Sequence, residues 1–275
     1  MSFYTSLSGL KAAQSDLGVV SNNLANVGST GFKKSRAQFG DLFASSPTQS
    51  TKMTAGQGVR LNGIVQQFSQ GTLEASDKTL DMGIAGEGFF VVRGAPPSSA
   101  VTYTRNGAFT VDPDRKVVDT IGSSLQILPV DASGNATSTA LADATDLVLP
   151  AGSPADPTIA LANVSIGIDG LVTATYADGS SEMLGKIAMA SFTSTEGLRP
   201  IGDAHWQSTG DSGLPIIDTA TNGPLGSIRS GALERANVDV TEELVALISA
   251  QRNFQANAKA IETAKNMTQA IININ

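Results

Sequence analysis

The fold is decided by the C-terminal run 240–261, VTEELVALISAQRNFQANAKAI. Its apolar side chains recur at spacings of three, four and seven residues, which places them on one stripe of an α-helix. The N-terminal run repeats this rhythm, so a helix is predicted at each end of the chain. The predicted subunit-contact stripes comprise Phe3, Leu7, Leu10, Leu17 and Leu24 in the first run and Leu244, Leu247, Phe254 and Ile261 in the second.

Two explanations of these stripes are open. An amphipathic helix usually docks on its own domain. Here, however, polar residues such as Gln14, Ser21 and Gln251 interrupt the stripes, which makes them weakly apolar for burial within one monomer. The polar faces also carry amides such as Asn22 and Asn23, whereas a solvated helix usually carries Lys–Glu pairs. This composition favours helices that pack together and against copies of themselves.

Between the helices the chain has the pattern of β-structure. Strand signals begin near Val59, and the dipeptides Asn106-Gly107, Asp169-Gly170 and Asp178-Gly179 predict type I′ hairpin turns. The predicted fold class is therefore α+β, with N- and C-terminal helices forming a coiled-coil-like module and a mainly antiparallel β body between them. Its predicted divisions are an N-terminal helix (1–30), a connector with extended segments (31–70), a mainly β outer domain (71–225) and a return connector with the C-terminal helix (226–275), with surface loops at 44–58 and 131–160.

Composition excludes several classes of protein. The chain has no cysteine, so disulfides, thiolate catalysis and zinc–sulfur sites are ruled out. Neither a cleavable signal peptide nor an apolar run of roughly 18 residues is present, so membrane insertion is not expected. Residues 71–230 hold eight Lys/Arg against eighteen Asp/Glu, and this acidic body argues against nucleic acid as a partner.

The sequence offers little catalytic chemistry. The single histidine, His205, stands beside Trp206 and has no GxSxG nucleophile motif to accompany it, so a packing role is predicted. Asp112 and Asp114 lack the spacing of a calcium-binding EF-hand loop and are predicted to form a turn. We therefore expect no enzyme activity, no metal site and no cofactor. An alternative of a different class is a secreted, adhesin-like β binding module.

Three motif segments follow one another at the two ends and in the centre of the chain. They are SNNLANVGSTGFK (21–33), DMGIAGEGFF with YTRNGAF (81–90 and 103–109), and GALERANVDV continuing to QRNF (231–254). Together they resemble the flagellar rod and hook family of bacterial axial proteins. The motif residues carried over from this resemblance are Asn22, Asn23, Asn26, Gly31, Phe32, Asn237 and Asp239.

The resemblance implies a structural subunit of the bacterial flagellum that polymerises into a hollow helical tube. It implies that the terminal helices form an inner layer around a channel and that the β body faces outward. The chain start and end are more similar to hook proteins, so the flexible hook, a universal joint that passes motor torque to the filament, is predicted. The distal rod, a rigid drive shaft, is the alternative.

The resemblance also implies partners and a location. The expected partners are further copies of this chain, the neighbouring rod and hook–filament junction proteins, the hook cap during assembly and the flagellar type III export apparatus. The expected location is extracellular, in the hook or basal body, reached without a cleavable signal peptide.

Four glycines near the ends of the β body are candidate hinges, because glycine absorbs changes in φ and ψ at low cost. They are Gly28, Gly31, Gly226 and Gly231. Ordinary helix stops and turns are the alternative explanation for the same residues.

Overall fold

The computed structural model describes residues 2–43, 56–95, 99–153 and 158–273. Residues 44–55 of the predicted loop 44–58 and residues 154–157 of the predicted loop 131–160 lie outside the described residues. The chain divides into two compact units. Unit 1 comprises 1–27, 34–67 and 238–275, and unit 2 comprises 28–33 and 68–237. The four divisions drawn from the sequence stay predictions.

Unit 1 contains two helices and a β-hairpin. Its elements are α1 Ser2–Ala25, β1 Ser35–Phe43, β2 Gly56–Gln66 and α2 Val240–Ile272. The two terminal helices predicted from residue spacing are confirmed. They lie side by side and antiparallel, since Gly9 near the start of α1 faces Asn257, whereas Asn23 near its end contacts Glu243 at the start of α2. Among the described residues, neither helix has a stretch both long and apolar enough to cross a membrane.

Each helix has a defined boundary. Asp239 caps the start of α2 by accepting hydrogen bonds from the backbone N–H groups of Thr241 (2.7 Å) and Glu242 (3.0 Å). At the other terminus, Asn26 follows the last residue of α1 and its side-chain Nδ2 donates to the carbonyl oxygen of Asn22 (2.9 Å). These polar contacts satisfy backbone groups that a helix end leaves without partners.

Unit 2 is built from short strands. Among the described residues they are β3 Leu73–Ala75, β4 Met82–Ala85, β5 Phe89–Arg93, β6 Val101–Thr104, β7 Thr110–Val111, β8 Val117–Val118, β9 Ser124–Leu128, β10 Thr145–Asp146, β11 Leu161–Ile166, β12 Leu171–Tyr176, β13 Ser181–Ile187, β14 Met189–Ser191, β15 Arg199–Gly202, β16 His205–Gln207, β17 Ile216–Asp218, β18 Ser227–Ser230 and β19 Ala232–Glu234. The main path of the largest sheet runs in the order β11-β12-β13-β9-β5-β6-β16-β15. Its neighbouring strands are antiparallel, as are the separate pairs β4–β18 and β3–β19. The predicted α+β class with a mainly antiparallel body is confirmed.

The core of unit 2 lies on both faces of strand β5. Phe90 and Val92 pack into one apolar cluster, and Phe89 and Val91 pack into a second cluster that also contains Trp206. Because side chains alternate across a strand, a run of apolar residues with both faces buried marks a central strand. The GEGFFVVR segment therefore supplies the axis around which the sheet is organised.

Two of the three predicted hairpins are present. Gly170 (φ +80°) joins β11 to β12, and Gly179 (φ +83°) joins β12 to β13. Asp169 and Asp178 do not have positive φ, so the predicted type I′ conformation, which needs positive φ at both central residues, is wrong at these turns.

The hairpin predicted at Asn106-Gly107 is wrong. Strand β6 pairs with β5 and β16, whereas β7 pairs with β8, so the two strands flanking this dipeptide are not partners. Gly107 instead lies against the backbone of Met82, whose N–H donates to the Gly107 carbonyl oxygen (2.9 Å). A Cβ at Gly107 would lie 1.5 Å from the Met82 carbonyl oxygen. The glycine is required for close backbone approach and not for a turn.

Candidate functional site: helix stripes and motif residues

The predicted stripe residues are half-buried or exposed within unit 1. Phe3, Leu244 and Phe254 keep 44%, 43% and 37% of their surface exposed. The remaining six, which are half-buried, are Leu7, Leu10, Leu17, Leu24, Leu247 and Ile261. None of the nine reaches full burial, so each retains apolar surface that could be covered by another molecule.

A row of exposed apolar side chains follows the first turns of α2. Val240, Leu244 and Ile248 are 43%, 43% and 50% exposed and are spaced four residues apart, which places them on one face. Among the described residues of the two helices, the buried apolar side chains are others, namely Ala13, Val19 and Val20 on α1 and Ala250 on α2. We call Val240, Leu244 and Ile248 the exposed α2 row.

Asn23 joins the end of α1 to both the hairpin and α2. Its side chain is 2% exposed. Nδ2 donates to the Ser35 carbonyl oxygen (2.9 Å) and to Glu243 Oε2 (3.3 Å), and Oδ1 accepts from the Ser35 N–H (2.9 Å). The amide therefore pairs with both backbone groups of the first residue of β1, as a neighbouring strand would.

Asn23→Ala is expected to destabilise unit 1 by about 2–4 kcal/mol, because the three hydrogen bonds of a buried side chain are lost and the Glu243 carboxylate loses its amide partner. Urea unfolding followed by the helical circular-dichroism signal measures the change. The neighbouring exposed Asn22→Ala is the matched control and is expected to change stability by less than about 0.5 kcal/mol. Equal effects of the two substitutions would contradict the role assigned to Asn23.

The remaining motif residues take structural positions. The N–H of Gly31 (φ +70°) donates to the Glu234 carbonyl oxygen (2.8 Å), and a Cβ there would lie 2.6 Å from the backbone nitrogen of Asn106. Phe32 is half-buried in the same segment. Asn237 Nδ2 donates to the carbonyl oxygen (3.1 Å) and Oγ (2.9 Å) of Ser69.

The motif segments in unit 2 meet in a buried ion-pair cluster centred on Glu234. This side chain is fully buried, and its Oε1 accepts from Lys33 Nζ (2.7 Å) and from the Gly71 N–H (2.8 Å). Lys33 is 1% exposed and also donates to the Ser69 carbonyl oxygen (2.8 Å). Oε1 of Glu234 therefore bonds both to Lys33, from the first motif, and to the backbone of Gly71.

Arg105, from the central motif, completes the cluster. Its Nη1 donates to the other carboxylate oxygen of Glu234 (3.2 Å), and its Nη2 donates to the Gly86 carbonyl oxygen (3.0 Å). Its guanidinium carbon lies 5.3 Å from the centre of the Phe89 ring, a cation–π contact. We call Lys33, Arg105 and Glu234 the buried cluster.

The buried cluster holds two cations on one carboxylate. Burial lowers the pKa of the Lys33 ammonium and of the Arg105 guanidinium below their usual values. The Glu234 carboxylate beside them offsets part of this lowering. The arrangement exposes no reactive atom, so it is suited to joining segments and not to chemistry.

Sequence reasoning missed the buried cluster. Its three members lie within the motif segments, but none of them was among the motif residues predicted to be functional. A partial signal existed, because Lys33 and Arg105 are the only charged residues of SNNLANVGSTGFK (21–33) and YTRNGAF (103–109), although Glu234 stands beside Arg235 in GALERANVDV. A charge set among such residues needs an opposite charge when it is buried.

The candidate hinge glycines stay a prediction. A Cβ at Gly28 would meet no heavy atom of the described residues within 4 Å, so this position has room. A Cβ at Gly226 would lie 2.3 Å from the Ala85 carbonyl oxygen, and Gly31 and Gly231 have φ of +70° and +68°. At these three positions, local packing or backbone conformation already accounts for glycine.

The His205 side chain has a structural role. Its Nε2 lies 2.7 Å from Asp119 Oδ2 and its Nδ1 lies 2.8 Å from the Asp203 carbonyl oxygen. With both ring nitrogens engaged, neither is free to activate a nucleophile. Nor do the described residues contain a group of three or more His, Cys, Asp or Glu side chains suited to a metal ion.

Three flagellar family models match the chain. "Flagella basal body rod protein" matches residues 3–33, "Flagellar hook protein FlgE/F/G D1 domain" matches 83–174, and "Flagellar basal body rod FlgEFG protein C-terminal" matches 229–274. These matches cover the helical ends and the centre, where the resemblance was found.

Flagellar rod and hook proteins match this chain over nearly its whole length. The flagellar basal-body rod protein FlgG of Buchnera aphidicola from Schizaphis graminum is 32% identical over 98% of each chain. The flagellar hook protein FlgE of Escherichia coli is 27% identical over all of both chains. A Helicobacter pylori flagellar hook protein FlgE2 structure covers 53% of this chain and 38% of its own, with 17% identity and a TM-score of 0.24. By its sequence over its whole length, this chain belongs to the flagellar rod and hook protein family.

Proposed function

We propose that this chain is a structural subunit of the bacterial flagellum that polymerises into a hollow helical tube. The observation that carries this proposal is similarity over 98% of both chains to a flagellar rod protein. It is supported by the apolar surface left on both terminal helices of unit 1. The chain is not an enzyme, in keeping with its family.

The contacts between subunits are proposed to use the terminal helices in a coiled-coil-like layer. In unit 1, α1 and α2 bury small side chains and leave the exposed α2 row uncovered. Apolar side chains spaced along one helix face are the usual basis of helix association. Because the row recurs in every subunit, its burial would be repeated along the whole tube.

Two positions along the axis are proposed, the flexible hook and the distal rod. The chain start and end favour the hook by resemblance. Length favours the rod, since the alignment to the rod protein spans 282 positions, close to the 275 residues of this chain, whereas alignment to the E. coli hook protein spans 410. Each assignment therefore has one observation in its support.

The partners follow from this function. We propose contacts with neighbouring rod or hook components, and, during assembly, with the hook cap and the type III export apparatus. An extracellular position, reached through that export apparatus, belongs to the same proposal. The acidic β body, with eighteen Asp/Glu against eight Lys/Arg in residues 71–230, is suited to keeping an exposed assembly soluble.

Electron microscopy of a polymer grown from the purified chain is the deciding experiment. Tubes are expected at high protein concentration, curved and supercoiled if the chain is a hook subunit and straight if it is a rod subunit. A sample that stays monomeric under all assembly conditions while binding a glycan or peptide ligand would contradict both assignments and favour the adhesin-like binding module.

A further inference from the structure

The buried cluster is a meeting point of segments that are far apart in sequence. Lys33 and Glu234 are 201 residues apart, and Arg105 and Glu234 are 129 apart. Glu234 ends strand β19, which pairs with β3, and residue 237 is the last residue of unit 2. The single anion of the cluster therefore arrives last along the chain, after both cations.

The cluster is electrostatically asymmetric. Two cations share one carboxylate, so removing either cation leaves a paired charge, whereas removing the carboxylate leaves two buried cations close together. An ion buried without its partner is strongly destabilising, because its lost hydration is not replaced. Backbone carbonyl oxygens of Ser69 and Gly86 each accept one hydrogen bond from the cations, but these neutral groups supply no opposite charge. The exposed Glu87 carboxylate attracts Arg105 more weakly than Glu234 does.

Glu234 also fastens the backbone around the cluster. Its carboxylate accepts from the Gly71 N–H, and its own carbonyl oxygen accepts from the Gly31 N–H (2.8 Å). Without residue 234, the segments at 31–33 and 71 lose their shared acceptor, and Lys33 and Arg105 lose their counter-ion.

From this geometry we propose that Glu234 is the closing element of unit 2, and that its β body becomes stable only when this carboxylate joins Lys33 and Arg105. A chain supplied from its N-terminus up to Leu233 holds the two cations without the one carboxylate that bonds to both of them. Such a chain must leave at least one cation in water, which is incompatible with the packing seen around Phe89. The β body therefore does not fold stably until nearly the entire chain is available.

The test is a set of full-length variants compared by thermal unfolding of the sheet signal. Glu234→Gln keeps the shape and removes the charge, and is expected to lower the midpoint by at least about 10 °C or to abolish the cooperative transition. The matched control is Glu74→Gln on the paired strand β3, where the carboxylate is exposed and bonded to Arg235. It is expected to shift the midpoint by less than about 2 °C.

Three more variants separate the electrostatic explanation from a general loss of packing. Lys33→Met and Arg105→Met are each expected to lower the midpoint by less than half the Glu234→Gln shift. The triple variant Lys33→Met, Arg105→Met, Glu234→Met removes all three charges and is expected to recover at least half of that loss. A Glu234→Gln midpoint equal to that of Glu74→Gln, a single cation variant as damaging as Glu234→Gln, or a triple variant with no recovery would each overturn the proposal.

Discussion

Leu244→Asp is expected to abolish polymerisation while leaving the β body of unit 2 folded. Leu244 is 43% exposed in the centre of the exposed α2 row, and burying such a side chain against another subunit contributes roughly 1.5–3 kcal/mol. An aspartate there would instead have to be desolvated without a partner, at a cost of several kcal/mol. The penalty recurs in every subunit, so sedimentation and electron microscopy should find no tubes. The thermal unfolding of the sheet signal should stay close to that of the unsubstituted chain.

The control for this substitution is Leu214→Asp. Leu214 lies in unit 2 and is 87% exposed. Its replacement by aspartate makes the same chemical change at a residue outside the two helices. Polymerisation should be retained. Normal tubes from the Leu244→Asp chain would show that the terminal-helix contact surface is wrong, and the explanation of helices packed only within their own unit would be preferred.

Gly107→Ala is expected to be the most damaging single-methyl change in unit 2. The added Cβ would lie 1.5 Å from the Met82 carbonyl oxygen and 2.6 Å from the Met82 carbonyl carbon. Both are backbone atoms, so the clash cannot be relieved by a side-chain rotation. Separating them would break the hydrogen bond between the Met82 N–H and the Gly107 carbonyl oxygen. We expect a loss of at least about 3 kcal/mol in urea unfolding.

The same substitution at Gly28 is the matched control. In the part of the chain that the structure describes, no heavy atom lies within 4 Å of a Cβ built there, so Gly28→Ala should change stability by no more than about 0.5 kcal/mol. If Gly107→Ala unfolds at the wild-type urea concentration, the packing of residues 106–108 against residues 81–82 is wrong.

The sequence predicted those features that short-range patterns encode. The spacing of Leu244, Leu247 and Phe254 was sufficient to predict α2, because helical periodicity is local. Asp169-Gly170 and Asp178-Gly179 were sufficient to predict hairpins, although only their glycines have positive φ. Asn106-Gly107 was misleading because a glycine can be required either for its φ or for its missing Cβ, and the sequence alone does not distinguish these reasons.

The buried cluster could not be placed from sequence because its contacts are long-range. Nothing in the spacing of Lys33, Arg105 and Glu234 indicates that they meet, since the sheet topology brings them together. The predicted stripes are also limited by tertiary packing, which sequence periodicity does not specify. Periodicity identified an apolar face on each helix, but the residues buried in unit 1, such as Val20 and Ala250, lie partly outside the predicted stripe.

The pairing of Asn23 with Ser35 has a mechanical consequence. Apolar surfaces slide over one another with little resistance, because one contact replaces the next as they move. The three hydrogen bonds of the Asn23 side chain are directional, and they fix the axial position of α1 against both β1 and the start of α2. Sliding of α1 relative to β1 and α2 is therefore opposed by these hydrogen bonds. Within unit 1 this amide therefore couples α1 to the hairpin, so that a force on the helix is passed to β1.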